Sequence, residues 1–265
     1  TGISSWLKGE KLYLTSEMIE DLINDNELSN GNTFSQKKLD EFILLIESKY
    51  LKSGYYKVQI KKNIELDAQN RIGIDLDITQ GKRATIESFI ISGSKKFSEK
   101  DLIKFFKIGE ADMALLNYFT NKDDYTDSKL RDGIELITQN YFDNGYLDFK
   151  VLEIESSLSE NKEKISINIE ISEGIQYKLG EVTFEGELGN LNLDDLHNSI
   201  SMDKGDIFNR NLVIDNIQSL TDMYADQGYA FIDINPITSE FLDDVNIKFK
   251  ISLNKKVYIN RITIS

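Results

Sequence analysis

Apolar and polar positions along the chain repeat as a block of fixed design. Tyr-x-x-x-Gly-Tyr occurs at Tyr50/Gly54/Tyr55, Tyr141/Gly145/Tyr146 and Tyr224/Gly228/Tyr229. Upstream of each first tyrosine, apolar residues recur at −4, −7 and −11: Ile46, Ile43 and Leu39; Ile137, Ile134 and Leu130; Leu220, Ile217 and Val213. That spacing marks one face of a helix. Each helix start pairs an aromatic, a capping side chain and an aliphatic: Phe34-Ser35 with Leu39, Tyr125-Thr126 with Leu130, Phe208-Asn209 with Val213. These predict hydrophobic staples and N-caps. Gly54, Gly145 and Gly228 fall just past the helix end, where a left-handed residue is favoured.

After each glycine the period changes from helical to two. Strict alternation over Ile72/Ile74/Leu76/Ile78, Ile165/Ile167/Ile169/Ile171 and Val245/Ile247/Phe249/Ile251 predicts a closing strand with one buried face. Gly81, Gly174 and Asn254 follow as turn residues. A further strand opens the next block, at Ile86/Phe89/Ile91, Leu179/Val182/Phe184 and Ile259/Ile262/Ile264. A short helix capped by Thr15, Ser98 or Asn192 precedes each stapled helix. The block reads β-α-α-β-β, an α+β unit whose helices must cover the apolar face of its sheet. The expected divisions are 1–81, 82–174, 175–254 and, as the opening strand of a further unit, 255–265. Thr1 to Leu7 match the opening-strand pattern poorly, so the first strand is divergent or incomplete.

Composition narrows what such blocks can do. A net charge of −14 argues against a nucleic-acid footprint, which needs concentrated Lys and Arg. No cysteine and one histidine leave no thiol chemistry and no multi-histidine metal site. The longest apolar run, Phe42 to Ile46, is far shorter than the roughly 20 residues of a membrane-spanning helix, so the fragment is expected to be soluble. No leader is visible at Thr1, so a periplasmic origin would imply a longer parent chain.

The segments Ile171-Ser-Glu-Gly-Ile-Gln-Tyr-Lys-Leu-Gly-Glu-Val-Thr-Phe-Glu-Gly186, Leu136 to Tyr146 and Met223 to Ala230 resemble polypeptide-transport-associated (POTRA) domains. Among these the chain is most similar to the periplasmic arms of the BamA-type family of outer-membrane assembly factors. Between the short-helix cap and the staple aromatic, the second block is the longest, from Ser98 to Tyr125. This insertion, about 111–124, suggests the second, third and fourth POTRA domains of such an arm. The resemblance implies a three-stranded mixed sheet in order 1-3-2, covered on one face by two helices. It further implies a periplasmic scaffold that engages unfolded outer-membrane β-barrel precursors and accessory lipoproteins by strand addition. Its second unit would hold a BamB-like partner, and the parent chain would be anchored by a C-terminal barrel in a Gram-negative outer membrane. The arm of a related translocation or secretion transporter, or a tandem-domain adhesin, are the alternatives.

In that reading function lies at sheet edges, whose unpaired N–H and C=O groups accept another strand. In the first unit Tyr56, Val58, Ile60, Ile64 and Leu66 keep one phase; Lys57 and Lys61 point the other way, and Lys62 breaks the apolar face. The lysines serve either to discourage aggregation or to bind. In the second, Leu147, Phe149 and Val151 are in one phase and Leu152, Ile154 and Leu158 in the other. The slip predicts a bulge or an end of pairing at Val151-Leu152, with the later residues as the docking patch. In the third, Pro236 removes a donor and is expected to shorten or blunt the edge. Met113, Leu115, Leu116, Tyr118 and Phe119 of the insertion pack on their own domain or meet a partner. Gly81, Gly174 and Asn254 are the expected hinges of a semi-rigid arm. No catalytic, cofactor or metal residues are assigned. The carboxylate pairs Asp123-Asp124, Asp194-Asp195 and Asp243-Asp244 lack the convergence that acid/base work needs, and His197 has no second histidine.

Overall fold

In a computed structural model the chain is described over residues 12–106, 125–258 and 261–263. Repeat one contributes helices α1 (Ser16–Asp25) and α2 (Gln36–Lys52) and strands β1 (Gln59–Leu66) and β2 (Ile72–Thr79). Repeat two runs β3 (Thr85–Ser92), α3 (Glu99–Ile103) with a 3-10 turn, α4 (Asp127–Asp143), β4 (Lys150–Leu158) and β5 (Lys164–Ser172). Repeat three runs β6 (Lys178–Gly186), α5 (Leu193–Ser199), α6 (Arg210–Asp226), β7 (Ile232–Phe241) and β8 (Asp244–Leu253). The sheets are ordered β3-β5-β4 and β6-β8-β7, the expected 1-3-2, with β1-β2 paired in repeat one. In repeat three the closing strand β8 pairs parallel to β6 and antiparallel to β7, so the sheet is mixed. The opening strand expected for repeat one lies outside the described residues. Residues 254–258 and 261–263 are in no strand.

Six helix starts follow from six side chains that the sequence singles out. Thr15, Ser35, Ser98, Thr126, Asn192 and Asn209 each accept a backbone N–H from the first turn of their helix. Each such bond satisfies a donor that the helix itself leaves open, typically worth ~1 kcal/mol. The staple aromatics differ: Tyr125 and Phe208 are buried, whereas Phe34 is exposed. The buried pair are held by the first residues of their own repeats, since Tyr125 N–H donates to the Ala84 carbonyl and Phe208 N–H to that of Tyr177.

The spacing of the tyrosine-glycine motif has a hydrogen-bond cause. At each helix end the second tyrosine donates its N–H to the carbonyl of the first: Tyr55 to Tyr50, Tyr146 to Tyr141, Tyr229 to Tyr224, at 2.9, 2.9 and 3.1 Å. The glycine N–H bonds one residue further on, to Leu51, Phe142 or Ala225. This is the double bond of a Schellman ending, and it turns the chain through glycines at φ 85°, 82° and 91°.

By its contacts the chain divides into two compact units, one holding repeat one and part of repeat two, the other the remainder of repeat two and repeat three. In the first, Leu14, Phe42, Ile46, Tyr50, Val58 and Ile78 form a core. In the second, β8 contributes Val245, Ile247, Phe249 and Ile251 to a core closed by Leu220 and Tyr224 of α6 and Leu196 of α5. The apolar stripe at −4, −7 and −11 is inward as expected, but position −8 from the first tyrosine is inward too. There repeat one places Phe42 and repeat three Asn216, whose Oδ1 accepts the N–H of Ser201 at 2.8 Å.

Repeat two has Gly133 at that position, because the ring of Phe106 occupies the space a side chain would take. Phe106 is fully buried and packs on Phe89 with ring centroids 4.6 Å apart. Alanine for glycine inside a helix ordinarily stabilises by about 1 kcal/mol. Here the sign is expected to reverse: Gly133→Ala displaces a packed ring and costs about 2 kcal/mol, read as a lowered urea midpoint.

Candidate strand-binding edges

β4 lies at the end of its sheet, so one side of its backbone faces away from β5. The residues ahead of it anchor it. Phe149 is buried and stacks on Tyr141 at 4.2 Å, and Leu147 packs against the core of repeat three. These two are therefore packing groups, and Val151 is half-buried. Leu152, Ile154 and Leu158 are exposed, by 57%, 43% and 40%. Of the two expectations at Val151-Leu152, the strand does not end there, because β4 runs from Lys150 to Leu158. Alternation puts these three residues on the opposite side of the strand from Phe149 and Val151. The change of phase thus marks apolar groups moved from the inward side to the outward one.

β7 is likewise terminal in its sheet and does contain Pro236, but it is not shortened. Its ladder with β8 runs from Ile232–Leu253 to Phe241–Asp244 without a break, with Pro236 opposite Phe249. Proline is tolerated on an edge strand, where its missing N–H need not disrupt the ladder, so here it removes a donor without ending the strand.

In repeat one Val58 is buried just before β1 and Ile60 packs half-buried on the same core. Ile64 and Leu66, expected on the covered face, are exposed by 37% and 66%, and their partners Ile74 and Ile72 are each exposed by 37%. Period two reports the face a side chain points to and not how far the helices extend over it. The lysines separate by role. Lys57 Nζ pairs with Glu163 at 2.6 Å, Lys62 pairs with Asp40 of α2, and Lys61 is exposed. Both pairs are partly exposed and contribute little to stability.

Gly81 and Gly174 are left-handed and lie against the side chains of Lys57 and Asp148. Asn254 donates its N–H to the Phe231 carbonyl at 3.3 Å. Met113, Leu115, Leu116, Tyr118 and Phe119 fall outside the described residues, as do Asp123 and Asp124. Of the other carboxylate pairs, Asp195 caps α5 by accepting the Asn192 N–H, while Asp243 lies in the β7–β8 turn and Asp244 opens β8 opposite Phe241. His197 is exposed and packs edge-on to Phe184 at 5.0 Å.

Among the described residues one carboxylate is buried, Glu173 just past β5, with 8% exposure. Burial pushes its carboxyl up. The N–H groups of Lys96 and Lys95, the Tyr141 hydroxyl and Ser94 Oγ outweigh that and hold it below the usual glutamate value. All four bonds reach Oε1, at 2.8 to 3.2 Å. This group locks the loop after β3 to the end of the closing strand, beside the first tyrosine of the motif.

The joints between repeats are where the sequence is silent. Gly54 accepts the N–H of Ala84 and Gly145 that of Tyr177, both at 2.8 Å. Ala84 and Tyr177 in turn accept from the staple aromatic of their own repeat. Tyr177 Oη adds a bond to Asp148 at 2.9 Å; that bond, with burial, raises the phenol to about 12. At the first joint Arg83 lies over the Tyr55 ring, 4.9 Å from its centroid. What the two joints share is backbone-to-backbone, and the recurrence of the glycine was its one trace in the sequence.

A family model described as POTRA, surface antigen variable number repeat, matches residues 7–81, 84–174 and 177–253. The outer membrane protein assembly factor BamA of Neisseria meningitidis serogroup B is 25% identical over 98% of this chain and 32% of its own length. That of Nitratidesulfovibrio vulgaris is 26% identical over 92% of this chain and 31% of its own. The chain thus spans about a third of the curated relatives it matches. The crystal structure of Haemophilus influenzae BamA POTRA3-5 aligns over 90% of this chain and 91% of that one, with 18% identity and a TM-score of 0.47. With three successive matches to one family model, each spanning one observed repeat, the chain belongs to the POTRA family, as three tandem domains.

Proposed function

We propose that this chain is a periplasmic arm of an outer-membrane β-barrel assembly factor and takes up extended client segments by adding them as strands at β4. The observation that carries this is β4 itself. It is a terminal strand of nine residues, unbroken by proline, with Leu152, Ile154 and Leu158 exposed along it. Main-chain pairing makes the grip tolerant of sequence, and apolar groups at alternate positions favour segments of alternating hydrophobicity. Barrel strands of about 10 residues are such segments. The same edge is the seat proposed for an accessory lipoprotein of the BamB kind. The curated relatives, named as outer-membrane assembly factors, support the setting, with the arm on the periplasmic side of a longer membrane-anchored protein.

A ten-residue synthetic barrel strand titrated into the 15N-labelled chain tests this. Shifts are expected to concentrate on β4 amides, and shifts confined to β7 or absent altogether would overturn the assignment. Proline at Ile154 and at Glu155 sharpens the test, because neighbouring N–H groups point to opposite sides of the strand. One of the two substitutions is expected to weaken peptide binding at least about tenfold with little loss of stability, by removing an outward donor. The other is expected to lower stability through the ladder to β5.

A further inference from the structure

The end of repeat three carries the same seat that joins repeats one to two and two to three. Gly228 accepts the N–H of Val257 at 2.8 Å, the bond that Gly54 makes with Ala84 and Gly145 with Tyr177. Lys256 Nζ lies 4.9 Å from the centre of the Tyr229 ring, as Arg83 lies 4.9 Å from that of Tyr55. Both cations immediately precede the seated residue, and both rings immediately follow the seating glycine. At the middle joint the same position is Gln176, which bonds the Asn144 carbonyl at 2.9 Å instead. At Gly228 the contact is made although residues 254–258 belong to no strand.

We infer that each repeat builds, at the end of its second helix, a docking surface that captures the first residue of the segment that follows and sets the direction in which the chain leaves. The partner it fits is defined by the two joints already closed. It is an extended segment whose seated residue gives its N–H to the glycine and turns its carbonyl to the N–H of an aromatic just ahead of a helix cap. The rim of the third seat differs. Where Lys57 pairs with Glu163 and Asp148 with the Tyr177 hydroxyl, repeat three presents Phe231, exposed by 68%. The third rim is therefore apolar where the first two are polar.

Amide hydrogen exchange on this chain tests the inference directly. One backbone bond and one half-buried cation–ring contact together slow exchange on the order of tenfold. Val257 is expected to exchange at least about tenfold more slowly than Lys255. Lys256→Ser is expected to remove a few-fold of that protection while leaving Ile247, in the core of the same repeat, unchanged. Exchange of Val257 at the rate of an open chain would overturn the inference. So would protection indifferent to Lys256, since the segment would then be held by something other than this seat.

Discussion

Replacing Gly145 by alanine is expected to destabilise the chain by about 3 kcal/mol or more, while the same change at Gly228 costs only about 1 kcal/mol. Both glycines end a helix in the left-handed region, at φ 82° and 91°, and alanine there carries a penalty of about 1 kcal/mol from its β-carbon alone. The surroundings make the difference. A β-carbon at Gly145 would lie 2.6 Å from the Tyr177 carbonyl oxygen, a backbone atom fixed by its own bond to Phe208. At Gly228 the nearest atom, the Val257 carbonyl oxygen, is 3.7 Å away, an ordinary contact. Gly145→Ala must therefore part the second joint or distort the end of α4. Urea unfolding of the two variants, with the Tyr177 amide followed by exchange, separates these costs. Equal destabilisation would mean that the joint gives way freely and places no demand on the glycine.

Tyr141→Ala is expected to cost about 4 kcal/mol, and Tyr141→Phe about 1 to 2 kcal/mol. The ring is fully buried and stacked on Phe149, so truncation opens a cavity at the foot of β4. Phenylalanine keeps the ring and removes only the hydroxyl, 2.8 Å from Glu173 Oε1. The pH dependence identifies the partner. The Glu173 carboxyl is held below its ordinary value of 4.5, so it favours the folded state above that pH, and the contribution is lost as pH falls through the lowered folded value. Glu173→Gln is expected to flatten this acid limb of stability measured between pH 6 and 3. An acid limb unchanged in Glu173→Gln would assign it to the exposed carboxylates.

Much of the fold was legible because the signals were local. Caps, the Schellman spacing and the two periodicities each depend on residues a few positions apart, and Thr126, Gly145 and Ile165 behave as their neighbours dictate. Other features depend on what lies across the fold. Gly133 reads as a poor helix residue until Phe106 is seen above it. Ile64 and Leu66 read as covered because alternation carries no information about the reach of α1 and α2. At β4 the strand was legible from its period of two, but Leu147 and Phe149, read as part of the same edge as Leu152, Ile154 and Leu158, are packing groups while the later three are exposed. Asn216, a polar side chain in a core, had no signal at all, since its Oδ1 accepts the N–H and the hydroxyl of Ser201, fifteen residues away in sequence.

The seat at the helix end and the residue it holds recur once in every period of the sequence. A duplication that copies one whole period therefore copies both halves of a joint, and the new boundary is complementary from the outset. Such a chain lengthens without evolving a fresh interface, and its side chains at each rim are left free to diverge, from Lys57 to Asp148 to Phe231.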